Sequence, residues 1–458
     1  MTSQQTKLVF SLCFAVLFAV MSGTMFNVAL PQIAKDYSLL PTEVSWVVVG
    51  YGVIFAIGSV TYGKLADLFP VRRLIVVGLS IFCLGSVCGF FASHYGFVIA
   101  ARLIQASGAA AVPALSMIVA TKYFPSEKRG HVLGYVSSTV ALGMGVGPIL
   151  SGLVTQFLGW SYLFLVPVIS ILALPLLQKT LPSEKPTSGG SFDALGAVLL
   201  ASGIASLLLG LNVSGWFFLS GVIILALFVL QIRRSPSPFV QVRLLANKPY
   251  RLLLFIGMLL YFCLSSSLFL LPLLLKDANG LQAGSIGLVL FPGAILTAIL
   301  GSHFGKLSDR FGSPAIMRGA VLVMSLAFAV LSTIIGFSPV WIGVFIALIN
   351  LSFSAIQSSL GSYVSRPLDR SEMGVGMGLF NLSTFLGNAI GPALASRFLE
   401  METAQWNVLT TSPFHSFSNA FLLLVVVALS SLLVLAIVQL HMRGGKKASH
   451  QQKETLPT

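Results

Sequence analysis

Charged residues are scarce in this chain: they make up 9% of its 458 residues, whereas hydrophobic residues make up 56%. A water-soluble domain carries about a quarter charged residues, so this chain lacks the side chains to cover a surface that faces water. The mean hydropathy is +0.94, and the apolar residues form runs of roughly 18 to 25, the length that crosses a bilayer as a helix. The composition predicts an all-α protein that crosses a membrane many times.

Residue patterns for catalysis, metal binding and nucleic-acid binding are also missing. The sequence shows no nucleotide-binding glycine loop, no nucleophile–base constellation and no metal-type spacing of its ligating residues, so we expect no enzyme activity, cofactor or metal. The net charge of +14 lies in short loops without a basic cluster beside stacking aromatics, which argues against nucleic acid as a partner. The four cysteines all fall in apolar runs and are expected to be small buried side chains: Cys13, Cys83, Cys88 and Cys263.

Fourteen apolar runs can be counted, and the basic residues orient them. The runs cover about residues 8–33, 44–63, 74–93, 97–123, 131–154, 161–178, 194–211, 216–232, 252–275, 285–304, 315–337, 340–362, 373–398 and 417–441. The first run exceeds a signal-peptide core and lacks a clear cleavage site, so we expect it to stay as a span. With a cytoplasmic N-terminus, cytoplasmic segments hold 23 of the 27 Lys and Arg, and outer loops hold only Lys35, Lys276 and Arg397. The positive-inside rule therefore predicts that both termini are cytoplasmic.

Two motifs occur twice at nearly one spacing. The loop "GKLADLFPVRR" begins at Gly63 and "GKLSDRFGSPAIMR" begins at Gly305, 242 residues later. A glycine–proline helix motif returns 244 residues later: Gly143, Gly147 and Pro148 correspond to Gly387, Gly391 and Pro392. We therefore expect an N-terminal six-helix repeat over 1–180, a two-helix insertion with its linkers over 181–250, a C-terminal six-helix repeat over 251–442 and a cytoplasmic tail over 443–458. Two parallel repeats with a substrate site between them are one architecture of secondary transporters.

The repeated motifs suit a conformational switch. Asp67 and Asp309 can reach a helix N-terminus or nearby arginines (Arg72 and Arg73, or Arg310), which would latch one arrangement. The alternative is a solvated loop whose charges only set topology. Small residues four apart in the glycine–proline helices form a flat stripe for close packing of another helix, and the prolines permit a bend.

The motifs resemble those of a known transporter family. The two loops resemble the signature between spans 2 and 3 of the major facilitator superfamily. "GYVSSTVALGMGVGPILSG" is similar to the span-5 motif of its drug/proton antiporters, and "ARLIQASGAA" and "NVALPQIA" resemble their spans 4 and 1. Fourteen spans with an insertion resemble the subgroup of Gram-positive tetracycline and phenicol exporters. The resemblance implies the major facilitator fold and proton-driven export of a drug-like compound.

The thirteen acidic residues indicate the charge of the substrate, because none lies in the middle of a span. Gly23 and Asn388 stand where the tetracycline antiporters carry glutamates, and Ser22 stands where many multidrug pumps carry an aspartate. A cation without a counter-charge is costly in a low-dielectric cavity, so a neutral amphipathic substrate is favoured. The candidate binding residues are Thr24, Phe26, Asn27, Tyr51, Gln105, Tyr261, Asn350, Ser354 and Gln357. The alternative for each polar one is a hydrogen bond that only joins helices.

Arg102 is the single charge that lies away from the ends of the predicted spans. It is expected to help couple protons to substrate, with Asp36, Glu43 and Asp193 as candidate carboxylates. The alternative is an arginine that only extends to the membrane interface.

We therefore predict a monomeric, proton-coupled exporter of small drug-like molecules in the lipid bilayer of a bacterial inner membrane. A neutral antibiotic such as a phenicol is favoured by the missing carboxylates, and tetracycline by the whole-chain resemblance. Nutrient uptake or facilitated diffusion is a further alternative. A channel or scaffold fits less well, since no filter or re-entrant segment is visible.

Overall fold

The protein is almost entirely helical. A computed structural model describes residues 3–182, 193–212, 215–235, 244, 246–368, 373–401, 405–410 and 412–454. The α-helices are α1 (Ser3–Tyr37), α2 (Pro41–Leu68), α3 (Val71–Phe90), α4 (Tyr95–Ala109), α5 (Ala111–Tyr123), α6 (Ser126–Phe157), α7 (Leu174–Thr180), α8 (Ala194–Asn212), α9 (Gly215–Arg234), α10 (Lys248–Asp277), α11 (Ala283–Phe311), α12 (Ser313–Thr333), α13 (Pro339–Val364), α14 (Met373–Glu400) and α15 (His415–Glu454). We refer to α1–α7 as the first half and to α10–α15 as the second half.

Most of the predicted spans correspond to helices that can cross a membrane. In the described part of the chain, twelve helical segments are long and apolar enough to do so. The segment Ala194–Gly210 is a shorter apolar helix, and Met373–Glu400, with 28 residues, is a further helix outside those twelve. The prediction of an all-α protein with many spans is confirmed for the described residues.

Two predicted spans are interrupted rather than being single α-helices. The span that begins at Tyr95 divides into α4 and α5 at Ala110, because Pro113 has no N–H to donate to the carbonyl of Ala109. The sixth predicted span, 161–178, consists of the 3-10 helices Trp160–Phe164 and Val166–Ala173 followed by α7. Pro167 and Pro175 each remove one α-helical hydrogen bond in that stretch, where the expected continuous α-helix does not form.

The connections between helices divide between two faces of the bundle. The α1–α2 face carries the connection from α1 to α2, and the α2–α3 face carries the connection from α2 to α3. Tyr37 at the end of α1 contacts the Tyr95 ring at the start of α4 (5.9 Å), which places both ends at the α1–α2 face. The Tyr250 hydroxyl donates to the Gly376 carbonyl (2.7 Å). Both residues lie near the start of their helices, α10 and α14.

The same helix pairs recur in the two halves. Helix α1 packs along α6 as α10 packs along α14, and α3 packs on α4 as α12 packs on α13. The two halves contact each other chiefly through two helix pairs, α2 with α14 and α6 with α11. Helices α8 and α9 form a hairpin in which α8 also packs against α2 and α14. The sequence repeat thus corresponds to a repeat in packing.

The two halves are joined tightly at the α1–α2 face. Gly152 at the end of α6 lies against the backbone of Gly284 and Gly287 at the start of α11. In α2, Gly52 lies against Ala389 of α14. Farther along α2, none of the described atoms of another helix lies within 4 Å of the position that a Cβ would take at Gly63. The contact of Gly152 with α11 therefore lies toward the α1–α2 face, and the contact of Gly52 with Ala389 lies near the middle of both helices.

Candidate functional site

Arg102 forms the centre of a buried polar cluster in the first half. Its side chain is fully buried, and a guanidinium keeps its charge in proteins. Its Nε donates to the Val47 carbonyl of α2 (3.1 Å), and its Nη1 donates to the Ser22 carbonyl and hydroxyl of α1 (both 3.3 Å). Nη1 also donates to Gln105 Oε1 (2.5 Å). Arg102 thus joins α1, α2 and α4 through hydrogen bonds inside the protein.

Two aromatic rings lie close to the guanidinium. Its central carbon lies 4.1 Å from the centre of the Phe26 ring and 3.9 Å from that of the Tyr51 ring. Both distances are within the range of cation–π attraction, which strengthens when the cation is desolvated. Gln105 continues the network to α3, since its Nε2 donates to Ser86 Oγ (2.7 Å). Among the described residues, the second terminal nitrogen of Arg102, Nη2, has no hydrogen-bond partner.

A run of aromatic side chains leads from this cluster to the second half. The Tyr51 hydroxyl donates to the Ala19 carbonyl of α1 (3.3 Å), and the Tyr51 ring stacks on Phe55 one turn later (5.9 Å between centres). Phe55 meets Phe385 of α14 edge to face (5.2 Å). Tyr51 therefore lies between the charged cluster and the interface of the halves.

Asn27 and Thr24, the other predicted residues of α1, lie beside α6. The Asn27 side chain donates from Nδ2 to the Thr24 carbonyl (3.2 Å), and the Thr24 hydroxyl donates to the Met21 carbonyl (3.2 Å). Asn27 Oδ1 is buried and has no hydrogen-bond partner among the described residues. An acceptor of this kind can receive a hydrogen bond from a bound molecule or from water.

The second half contributes a separate polar pair. Gln357 of α13 donates from Nε2 to the Tyr261 hydroxyl of α10 (3.1 Å), and the Tyr261 ring meets Phe353 edge to face (4.9 Å between centres). Gln357 is exposed, whereas Tyr261 is partly buried. This pair offers an amide and a phenol beside an aromatic surface, a combination that suits an amphipathic ligand.

Asn350 and Ser354 point toward a different neighbour from Gln357. The Asn350 amide nitrogen lies next to Gly293 of α11, and Ser354 Oγ lies 3.1 Å from the position that a Cβ would take at Gly301. The sequence places Asn350, Ser354 and Gln357 on one side of the helix, but the structure divides them between α11 and α10.

The candidate coupling carboxylates Asp36 and Glu43 are held at the α1–α2 face. Asp36 accepts hydrogen bonds from Gln32 Nε2 and from Trp160 Nε1, both at 2.8 Å. Glu43 accepts from the Leu40 N–H (2.8 Å). Both carboxylates therefore stabilise local structure near helix ends, and none of the described hydrogen bonds of Arg102 involves them.

Asp193, the third candidate, caps a helix. Its Oδ1 accepts from the Gly196 N–H (2.8 Å) at the start of α8 and from Gln231 Nε2 of α9 (3.1 Å). A carboxylate at a helix N-terminus is stabilised by the unpaired N–H groups and the helix dipole. The described contacts of Asp193 lie within the α8–α9 hairpin.

Acidic residues occur only near helix ends in the described part of the chain. Eight lie within the first or last three residues of a helix, and Asp193 directly precedes α8. The eight are Asp36, Glu43, Asp67, Glu127, Asp277, Asp309, Glu400 and Glu454. The expectation that no acid lies in the middle of a span is confirmed for these residues, whereas Glu184, Asp369, Glu372 and Glu402 lie outside the described part.

The loop motifs are only partly described. The side chains of Asp67 and Asp309 and the surroundings of Gly305 lie outside the described part, so the latch at the α2–α3 face stays a prediction. Arg72 is partly buried and Arg73 is exposed. The Arg310 guanidinium lies 5.3 Å from the centre of the neighbouring Phe311 ring.

The glycine–proline motifs pack in matching positions. A Cβ at Gly143 would contact the Leu17 carbonyl of α1 at 3.0 Å, and one at Gly147 would collide with Thr24 Oγ1. In the second half, a Cβ at Gly387 would collide with the Met258 carbonyl of α10. A Cβ at Gly391 would collide with Ser265 Oγ. Both motif helices, α6 and α14, continue through their prolines, Pro148 and Pro392.

Sequence reasoning did not identify the contact that joins the halves at the α1–α2 face. Glu400 accepts hydrogen bonds from Thr42, which is 358 residues away. No spacing in the sequence relates these two positions. The one available signal is that Glu400 is an acidic residue at a predicted helix end on the same side of the membrane as Thr42.

Comparisons with known proteins identify a family and several relatives. Residues 12–392 match the family model of the Major Facilitator Superfamily. The riboflavin transporter RibZ of Clostridioides difficile (strain 630) is 26% identical over 396 residues, covering 84% of this chain and 86% of RibZ. The methylenomycin A resistance protein of Bacillus subtilis (strain 168) is 27% identical over 409 residues, covering 86% and 87%. A crystal structure of the peptide transporter POT in complex with sulfate superposes with a TM-score of 0.70 at 16% identity over 94% of each chain.

Proposed function

The chain belongs to the Major Facilitator Superfamily, and from this premise we propose that it exports a small, neutral, drug-like molecule in exchange for protons. The family and the apolar helices identify a multi-pass membrane transporter. The observation that carries the finer proposal is the charge of the spans. The only described charge deep in the first half is Arg102, and its hydrogen-bond acceptors are neutral groups.

A positive cluster of this kind disfavours cationic substrates. An organic cation would have to leave water without a carboxylate to receive it, which costs several kcal/mol. A neutral molecule avoids this cost and can bond to the amide of Asn27 or the Tyr261–Gln357 pair. A phenicol-like antibiotic is the favoured substrate, and tetracycline is the alternative that rests on overall resemblance.

In this proposal, transport proceeds by alternating access. We propose two six-helix repeats, 1–180 and 251–442, that rock about a central cavity, with α8 and α9 as the inserted pair of a fourteen-span arrangement. The tight contacts at the α1–α2 face fit a state that is closed there. In this proposal the α2–α3 face is cytoplasmic, the chain is monomeric, and it resides in the bacterial inner membrane with Arg102 taking part in proton coupling.

A susceptibility panel tests the substrate class. A drug-sensitive bacterial host that expresses the chain should gain at least about tenfold more resistance to a phenicol than to ethidium-like cations, since each 1.4 kcal/mol of lost affinity is about tenfold. An uncoupler should abolish phenicol efflux. Resistance to the cations alone would overturn the neutral-substrate proposal, and tetracycline resistance alone would support the alternative.

Substrate uptake is a second candidate, because a relative named as a riboflavin transporter covers most of the chain. The sequence likeness to a resistance protein supports export equally well. Cells that accumulate a labelled neutral substrate faster when they express the chain, with no response to an uncoupler, would favour facilitated uptake.

The orientation can be measured separately. Single cysteines at Lys64, Lys306 and Lys446, in a background without the four native cysteines, should react with an impermeant maleimide in inside-out vesicles and not in intact cells. The reason is the concentration of Lys and Arg on this side. Reaction of any of the three in intact cells would contradict the cytoplasmic placement of the α2–α3 face.

A further inference from the structure

The contact between Glu400 and Thr42 joins the two halves at the α1–α2 face. Glu400 is the last residue of α14, and Thr42 is the second residue of α2. Glu400 Oε1 accepts from the Thr42 backbone N–H (2.6 Å) and from the Thr42 hydroxyl (2.5 Å). One carboxylate oxygen thus receives two hydrogen bonds from the start of a helix in the other half.

This geometry is that of a helix N-cap supplied by a different half of the protein. The first N–H groups of an α-helix have no partner within the helix and are satisfied by nearby acceptors. The residue at the N-cap of α2, Leu40, makes no side-chain capping bond, and the carboxylate of Glu43 is engaged by the Leu40 N–H. The Thr42 N–H is satisfied by Glu400 instead, and the negative charge lies at the positive end of the α2 dipole.

Glu400 also lies beside a basic side chain of its own helix. Its other oxygen lies 3.9 Å from Arg397 Nη1, one turn earlier on α14, and the Glu400 side chain is only 17% exposed. A hydrogen bond between an ionised acceptor and an N–H is stronger than one between neutral groups. These contacts distinguish Glu400 from a freely solvated surface acid.

We propose that Glu400 is a removable cap that stabilises the state closed at the α1–α2 face and is therefore a positioning residue for transport. When α2 and α14 separate at this face, both hydrogen bonds break and the start of α2 loses its acceptor. The strength of the cap then sets how often this face opens. This inference rests on the alternating access of the proposed function but not on the identity of the substrate.

The test measures opening at the α1–α2 face directly. Phe385, which meets Phe55 in the interface of the halves, is replaced by cysteine in a background without the four native cysteines. The labelling rate with an impermeant maleimide, added to intact cells without drug, then reports opening of this face. Glu400→Ala should raise that rate about fivefold, the typical effect of removing an N-cap on an equilibrium. Glu400→Gln, which keeps an acceptor oxygen but loses the charge, should give a smaller rise, and Thr42→Ser should give none.

Asp277→Asn is the matched control. Asp277 is the last residue of α10, as Glu400 is of α14, so its replacement removes an equivalent charge and should leave labelling unchanged. An unchanged rate in Glu400→Ala would overturn the cap, and so would an equal rise in Asp277→Asn, which would point to general surface charge. Raised labelling in Glu400→Ala without any drug resistance in the parent would uphold the cap and refute the proposed substrate.

Discussion

Replacing Arg102 by glutamine should lower transport by at least about tenfold at matched expression. Glutamine is too short to reach the Val47 carbonyl and the Ser22 hydroxyl together, and it removes the cation that lies against Phe26 and Tyr51. Each buried polar group left without a partner costs about 1–3 kcal/mol, and 1.4 kcal/mol is about tenfold in an equilibrium. The measurement is drug efflux from energised inside-out vesicles.

Arg102→Lys separates the two roles of this side chain. Lysine keeps the charge but lacks the planar fork that donates from several nitrogens at once. If Arg102 couples protons to the drug, Arg102→Lys should retain exchange of labelled for unlabelled drug and lose its response to an imposed pH gradient. A structural role alone would reduce both equally. Ser107→Ala is a control on the same helix, since Ser107 bonds only to the Ile104 carbonyl one turn away in the described contacts. Normal efflux by Arg102→Gln would contradict both the structural role and the coupling role of Arg102.

The sequence was sufficient to identify Arg102 but not its surroundings. A charge in an apolar run is visible because the membrane makes it costly, whatever helices lie nearby. Its partners Ser22 and Val47 belong to two other helices, and Ser86, which accepts from Gln105, belongs to a third. Ordinary apolar and small residues carry no mark of which helix they will meet. The role of Gln105 as a link between Arg102 and α3 follows only from the packed structure.

The packing of the glycine–proline motifs was also predictable only in part. Their spacing predicted that another helix packs closely on them, and the structure identifies that helix as α1 in the first half and α10 in the second. The contact of Glu400 with Thr42 was beyond prediction, because it depends on how one half sits against the other. The interruption of the sixth span was not predicted either: its two prolines are visible in the sequence, but α6 and α14 continue through prolines of their own.

Gly387→Ala should have the largest effect among substitutions at the motif glycines. An added Cβ would lie far inside 3.0 Å of the Met258 carbonyl oxygen and about 3.0 Å from the Met258 carbonyl carbon and the Phe262 nitrogen. These are backbone atoms of α10, which cannot turn aside as a side chain can. The helices α10 and α14 must therefore move apart, and overpacking of this kind costs about 1–3 kcal/mol. We expect efflux to fall at least about tenfold and the thermal stability of the purified protein to fall with it.

Two other glycines give the matched comparisons for Gly387→Ala. Gly361→Ala in α13 should be nearly silent, because no atom of the described residues of another helix lies within 4 Å of a Cβ there. Gly147→Ala, in the motif of the first half at the position that corresponds to Gly391, should have an intermediate effect, since its Cβ collides with the Thr24 hydroxyl, a side-chain atom that can rotate. Adding Thr24→Ala to Gly147→Ala should then restore part of the stability. Equal losses in Gly361→Ala and Gly387→Ala would mean that the cost is lost helix flexibility rather than the contact between α10 and α14.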